Sequence, residues 1–117
     1  MENDRQWKAL VAFTREEIQW AGKREPLAAS TRILHDLRVD GDDAVEFIEK
    51  FFDTFEVSNV ESFPFHRYFG PEGAAAVPLL IIPALVAALT LGMLLEAICA
   101  DHWDTDAIER RQASARQ

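Results

Sequence analysis

The stretch from Asp36 to Val57 reads DLRVDGDDAVEFIEKFFDTFEV, and it is the part of the sequence that decides the fold. Its second half repeats apolar residues at helical spacing, and charged residues fill most of the remaining positions. The apolar set is Ala44, Phe47, Ile48, Phe51, Phe52 and Phe55. Asp40 and Asp42 are both suitable N-cap residues, and Asp43 places an anion where the helix dipole favours one. The pattern predicts an amphipathic helix with a buried phenylalanine face.

A second amphipathic pattern lies upstream and predicts a helix from Asn3 to Ala21. Its apolar face contains Trp7, Leu10, Val11, Phe13, Thr14, Ile18 and Trp20. Gly22 is a plausible stop for this helix. Residues 23–39 contain Pro26 and several small residues, and they predict a long loop between the two helices.

Downstream, Pro64 and Pro71 argue against a long helix in the aromatic segment 58–73. The alternation of residues 63–68 predicts a short extended piece there.

Further on, Thr90 is a natural N-cap, so a helix is predicted from there to about Asp101. Residues 104–117 are polar and predict a flexible tail after a single domain over residues 1–103.

Residues 74–95 form a run of 22 positions without a charged side chain. A run of this length is enough to cross a bilayer, so a membrane-associated protein anchored by residues 74–95 is the alternative reading. Pro78 and Pro83 divide the run, which favours a folding element of a water-soluble domain over a membrane span. Its first part, residues 74–88, could instead bury a homodimer contact.

The chain has 117 residues and a formal net charge of −8, which disfavours binding to nucleic acid and favours protein partners with a basic patch. From Asp36 to Glu56 there are eight carboxylates against two basic residues. The one cysteine, Cys99, and an N-terminus without an apolar core predict a reducing, cytoplasmic location.

The stretch 36–47 resembles the signature of acyl carrier proteins, Asp-Leu-Gly-x-Asp-Ser-Leu-x-x-Val-Glu-Leu. Asp36-Leu37, Asp40 and Val45-Glu46 match it, whereas Gly41 stands at the serine position and Asp42 at the following leucine. The whole chain resembles more closely a bacterial, acyl-carrier-like family of unknown function, domain of unknown function 1493. The blocks that carry this resemblance are 36–57, 63–73 and 89–103. The resemblance implies a mainly α fold, an antiparallel bundle of about four helices with a short aromatic segment.

In carrier proteins, the serine side chain holds a phosphopantetheine arm. Gly41 has no side-chain atom for attachment, so we expect no such cofactor. The resemblance also implies that the acidic second helix is a docking surface for a partner protein. Its predicted partner-binding residues are Asp40, Asp42, Asp43, Glu46, Glu49 and Asp53. The competing interpretation is that these side chains only form the solvated face of an amphipathic helix.

The remaining reactive side chains do not form a recognisable catalytic or metal-binding pattern. Asp36, Arg38 and Asp40 faintly resemble the start of a calcium loop, but Phe47 stands where the bidentate glutamate is needed. Cys99 and His102 lack an orienting group, and Cys99 is expected to be a buried structural thiol. The sequence therefore predicts a non-enzymatic protein without a metal.

Overall fold

The computed structural model describes residues 2–18, 27–39, 41–69 and 87–115. Within these residues the chain is mainly helical, as the sequence predicts, and no strand is present among them. The helices are α1 (Glu2–Glu17), α2 (Gly41–Thr54), α3 (Phe65–Phe69), α4 (Leu91–Ala100) and α5 (Thr105–Ala115), with a 3-10 helix at Val60–Ser62. Helix α4 packs against both α1 and α5.

The phenylalanine face of α2 lies in the core, which confirms the predicted helix phase. Five of the six predicted residues are buried and Phe55 is half-buried. Phe13 of α1 packs against this face, with its ring centroid 5.3 Å from that of Phe47 and 5.5 Å from that of Phe55. Edge-to-face and tilted ring pairs of this kind are favourable at such separations.

Helix α2 is followed by a turn with one residue in the left-handed conformation. Glu56 has φ 51°, its N–H donates to the Asp53 carbonyl at 3.4 Å, and the Val57 N–H donates to the Phe52 carbonyl at 3.1 Å. These two bonds satisfy carbonyls that the helix end would leave unpaired. Val57 and Phe52 are both buried, so the turn also directs the chain back into the core.

Helix α1 contributes its predicted stripe to the core. Leu10, Phe13, Thr14 and Ile18 are buried, and the Thr14 hydroxyl is satisfied by the Leu10 carbonyl at 2.8 Å. The helix ends at Glu17 in the described part of the chain. The predicted extension to Ala21, with Trp20 and the stop at Gly22, lies outside the described residues.

Helix α4 begins as predicted, because the Thr90 hydroxyl accepts a hydrogen bond from the Met93 N–H at 3.2 Å. The Leu91 and Gly92 N–H groups donate to carbonyls of the loop at residues 29–31, at 3.0 and 2.9 Å. A Cβ on Gly92 would lie 3.0 Å from the Ala29 carbonyl oxygen, so glycine permits this approach. The structure describes residues 87–95 of the apolar run 74–95, and much of this part lies in the core. Residues 74–86 lie outside the described part.

The prediction of a short extended piece over residues 63–68 is wrong for its second half. The chain is extended at Phe63, but residues 65–69 form α3. Pro64 directly precedes this helix, and the Arg67 N–H donates to its carbonyl at 3.0 Å. Proline disfavours the interior of a helix but suits its start, so Pro64 begins a helix here rather than excluding one.

Within the segment predicted as a polar, flexible tail, residues 105–115 form α5. The Trp103 indole N–H donates to the Thr105 hydroxyl at 2.7 Å, and Asp104 Oδ1 accepts from the Ala107 N–H at 3.2 Å. Ile108 is buried against the body of the protein. A single buried apolar residue in a polar segment is a weak periodic signal, which is why the sequence pattern missed this helix.

Candidate docking surface on helix α2

Helix α2 carries four carboxylates in one line along its outer surface. They lie at Asp42, Glu46, Glu49 and Asp53, the i, i+4, i+7, i+11 spacing that places side chains above one another on a helix. All four are exposed, whereas the opposite side of the helix holds the buried phenylalanines. We call these four residues the acidic stripe. Asp43 is also exposed and lies beside it, and Asp40 lies outside the described residues.

One lysine partly neutralises the surface beside the stripe. Lys50 Nζ lies 3.1 Å from Glu17 Oε1 on α1 and 3.1 Å from Glu46 Oε1 on α2. Hydrogen bonds with Glu17 and Glu46 raise the pKa of Lys50, so this ammonium stays charged. Within the described ranges, no ion pair reaches Asp42, Glu49 or Asp53, so no basic side chain of that part of the chain is paired with these three carboxylates.

A cleft of about 360 Å³ lies between the end of α1 and the first half of α2. Ile18, Val39 and Phe47 supply its apolar lining. Charged groups line the rest, at Glu16, Glu17, Asp43, Glu46 and Lys50. These three apolar residues are themselves buried, so the accessible lining is mainly polar, and its carboxylates suit the charged end of a lysine or arginine side chain.

Two parts of this surface were not singled out from the sequence. Val45 is 40% exposed and stands one helical turn before Glu49, so it adds an apolar contact beside the stripe. Glu16 and Glu17 reach the cleft from α1. The sequence gives no signal that Glu16 and Glu17 line this cleft, because their position depends on how α1 packs against α2.

Two residues at the start of α2 are left-handed: Arg38, in the loop before it, has φ 61°, and Gly41, its first residue, has φ 57°. A Cβ on Gly41 would meet no atom within 4 Å, so a serine there has room but is disfavoured by the backbone conformation. At Arg38 the strain is present already, since arginine occupies a conformation that suits glycine. The Arg38 and Val39 N–H groups donate to the Leu34 and Ile33 carbonyls, both at 3.2 Å, and hold this turn.

We expect Arg38→Gly to be more stable than Arg38→Ala by about 1 kcal/mol, the reverse of the usual order. Glycine adopts positive φ without steric cost, and Arg38 is exposed, so neither variant loses buried contacts. Urea denaturation of the two variants measures the difference. A higher stability for the alanine variant would show that residue 38 is not left-handed in solution.

A family model described as protein of unknown function (DUF1493) matches residues 4–106. The chain belongs to this family. No curated protein and no solved structure matches the chain in the corresponding comparisons. The part shared with the DUF1493 family includes α2 with its acidic stripe, the cleft residues, α3 and α4, and it ends two residues into α5.

Three further findings concern the described residues of this DUF1493 protein. No group of three or more His, Cys, Asp or Glu side chains there could hold a metal ion. Cys99 is exposed, and its thiol donates to Gln6 Oε1 at 3.0 Å, which corrects the expected buried thiol. No helix in the described ranges is long and apolar enough to cross a bilayer.

Proposed function

We propose that this DUF1493 protein is a non-enzymatic, acyl-carrier-like protein of the cytoplasm. It binds a basic patch of a partner protein through the acidic stripe of α2, and it carries no phosphopantetheine. The observation that supports this most strongly is the division of α2 into two faces. The buried face holds the helix in the core, and the exposed face carries carboxylates that make no contribution to packing.

The surface also has the features of a protein-binding site beyond its charge. A protein interface needs apolar contact area as well as charge complementarity, because exposed ion pairs alone contribute little affinity. Val45, which is 40% exposed, provides such area next to the stripe. A partner with arginine or lysine side chains around an apolar centre would match this arrangement.

The loop before α2 supports the carrier-like part of the proposal. Arg38 stands at the glycine position of the carrier signature, and its backbone has the left-handed conformation that glycine favours. Asp36 closes the preceding turn by accepting the Arg32 N–H at 2.7 Å, and hydrogen bonds with Arg32 lower the pKa of Asp36. Leu37 and Val39 are buried. On this basis we propose an antiparallel bundle of about four helices, of carrier type.

We expect the protein to accept no phosphopantetheine arm. Gly41 offers no hydroxyl, and Asp42 and Asp43 would repel the phosphate of coenzyme A. Incubation with coenzyme A and a broad-specificity phosphopantetheinyl transferase should leave the intact mass unchanged. A mass gain equal to the arm would contradict the proposal, and mapping the modified residue would then identify the acceptor.

Co-purification with a matched control tests the docking proposal. The tagged protein is purified from its own cells in parallel with two variants, which change the net charge by the same amount. One variant has Glu49→Lys and Asp53→Lys on the acidic stripe, and the other has Glu61→Lys and Asp106→Lys at exposed positions elsewhere. A specific partner should be retained by the unaltered chain and by the control variant, and lost from the stripe variant. Equal recovery with all three would place the interface elsewhere.

A further inference from the structure

The cleft between α1 and α2 is large enough to take up a side chain from another protein. Its volume of about 360 Å³ lies at the lower end of the range for small-ligand pockets, roughly 300–1,000 Å³. Four carboxylates line it, at Glu16 and Glu17 of α1 and at Asp43 and Glu46 of α2. A cation that enters the cleft therefore meets negative charge from two helices. Glu46 also belongs to the acidic stripe, so the cleft is continuous with the surface proposed for docking.

One cation of the chain itself already lies at this cleft. Lys50 Nζ is 3.1 Å from Oε1 of Glu17 and 3.1 Å from Oε1 of Glu46, so it bridges the two helices. Ion pairs this open to water contribute little to stability, which makes them easy to exchange for others. A carboxylate accepts hydrogen bonds at both oxygens, so each glutamate has acceptor capacity beyond the atom that Lys50 contacts. The volume of about 360 Å³ is present with Lys50 in place, so the lysine neutralises part of the cleft without filling it.

An arginine side chain suits this arrangement better than a lysine side chain does. A guanidinium carries five N–H donors in one plane, so it can contact carboxylates of both helices at once. It is also more weakly hydrated than an ammonium, so less hydration is lost when it enters a half-open cleft. Protein interfaces are enriched in arginine and depleted in lysine, in agreement with this difference.

We propose that the cleft receives one arginine side chain of the partner protein, and that Lys50 limits its affinity by competing for Glu17 and Glu46. This inference rests on the docking function proposed for α2, because it names the partner side chain that binds beside the acidic stripe. Loss of the Lys50 ammonium frees both carboxylates for the guanidinium. A variant without this ammonium therefore binds arginine more tightly, although Lys50 itself lies on the docking surface.

The probe is N-acetyl-arginine N-methylamide, a single arginine residue with capped ends, titrated into the full-length protein. Its uncharged isostere, N-acetyl-citrulline N-methylamide, is the control compound. Backbone amide shifts in heteronuclear NMR spectra report where each compound binds. We expect the arginine probe to cause saturable shifts at the amides of Glu17, Asp43 and Glu46, and the citrulline compound to leave these amides unchanged.

The variant Lys50→Met should bind the arginine probe at least about threefold more tightly than the unaltered chain, because a competing unit charge has been removed at close range. Lys8→Met is the matched control, with the same change in net charge. Lys8 is exposed on α1 and lies about 12 Å along the helix axis from Glu16, so its effect is screened by salt. Its replacement should change the Kd by less than about 1.5-fold. In the background Glu17→Gln/Glu46→Gln, the gain from Lys50→Met should disappear.

Three results would overturn the proposal: no saturable shift at the cleft amides, equal shifts with the citrulline compound, or equal effects of Lys50→Met and Lys8→Met. The Glu49→Lys/Asp53→Lys variant separates this inference from the docking proposal. If that variant loses the partner while the arginine probe does not bind the cleft, only the arginine site is wrong. If the probe binds the cleft while that variant retains the partner, docking through the acidic stripe is wrong instead.

Discussion

Phe51→Ala is expected to lower the free energy of unfolding by about 3–5 kcal/mol. Phe51 is fully buried at the centre of the aromatic cluster, with ring centroids 5.4 Å from both Phe52 and Phe55. Truncation removes buried apolar surface and leaves a cavity that the surrounding rings can fill only in part. Urea denaturation followed by circular dichroism gives the difference in unfolding free energy.

Glu49→Ala is the matched control on the same helix, two residues away. Glu49 is exposed and makes no ion pair in the described part of the chain, so its replacement should change stability by less than about 0.5 kcal/mol. Comparable losses for the two variants would mean that the buried and exposed faces of α2 have been assigned incorrectly. The acidic stripe would then no longer be a free surface.

Glu49→Lys combined with Asp53→Lys is expected to weaken partner binding at least about 100-fold, since like charges brought together at an interface cost several kcal/mol. The association rate should fall with the affinity, because charge also steers the encounter. Both side chains are exposed, so the unfolding free energy should stay within about 1 kcal/mol of that of the unaltered protein.

The control for this prediction is Glu61→Lys combined with Asp106→Lys, which makes the same change in net charge away from the stripe. We expect its affinity for the partner to fall less than about threefold, since distant exposed charges are screened by salt. Surface plasmon resonance with the captured partner measures rates and affinities for both variants. Equal losses would indicate that only the net charge matters and that α2 is not the docking surface.

Patterns within one segment were sufficient to predict several elements. The buried face of α2 follows from apolar residues at helical spacing, and the start of α4 follows from Thr90 before an apolar segment. Both signals are local, because periodicity and capping depend on residues a few positions apart. The exposure of the stripe follows from the same periodicity, and the structure places Asp42, Glu46, Glu49 and Asp53 on the solvent side together.

Features that depend on tertiary contacts were not predictable. Helix α5 is held by the pairing of Arg67 with Glu109, 42 residues apart, and nothing in either segment indicates the other. The cleft needs Glu16 and Glu17 of α1 beside Asp43 and Glu46 of α2, which requires the packing of two helices. Helix α3 was missed because Pro64 was interpreted as a helix breaker, although it stands at the start of the helix.

Docking through the acidic stripe is measured most directly by the salt dependence of the partner's Kd, for the unaltered chain and for the Glu49→Lys/Asp53→Lys variant. For the unaltered chain, Kd should rise at least about tenfold between about 50 and about 300 mM salt, because ions screen exposed charges over a shorter distance as salt increases. The variant should bind weakly at every salt concentration, and its Kd should not rise in this way as salt is added. A Kd that is indifferent both to salt and to the two reversals would contradict docking through α2.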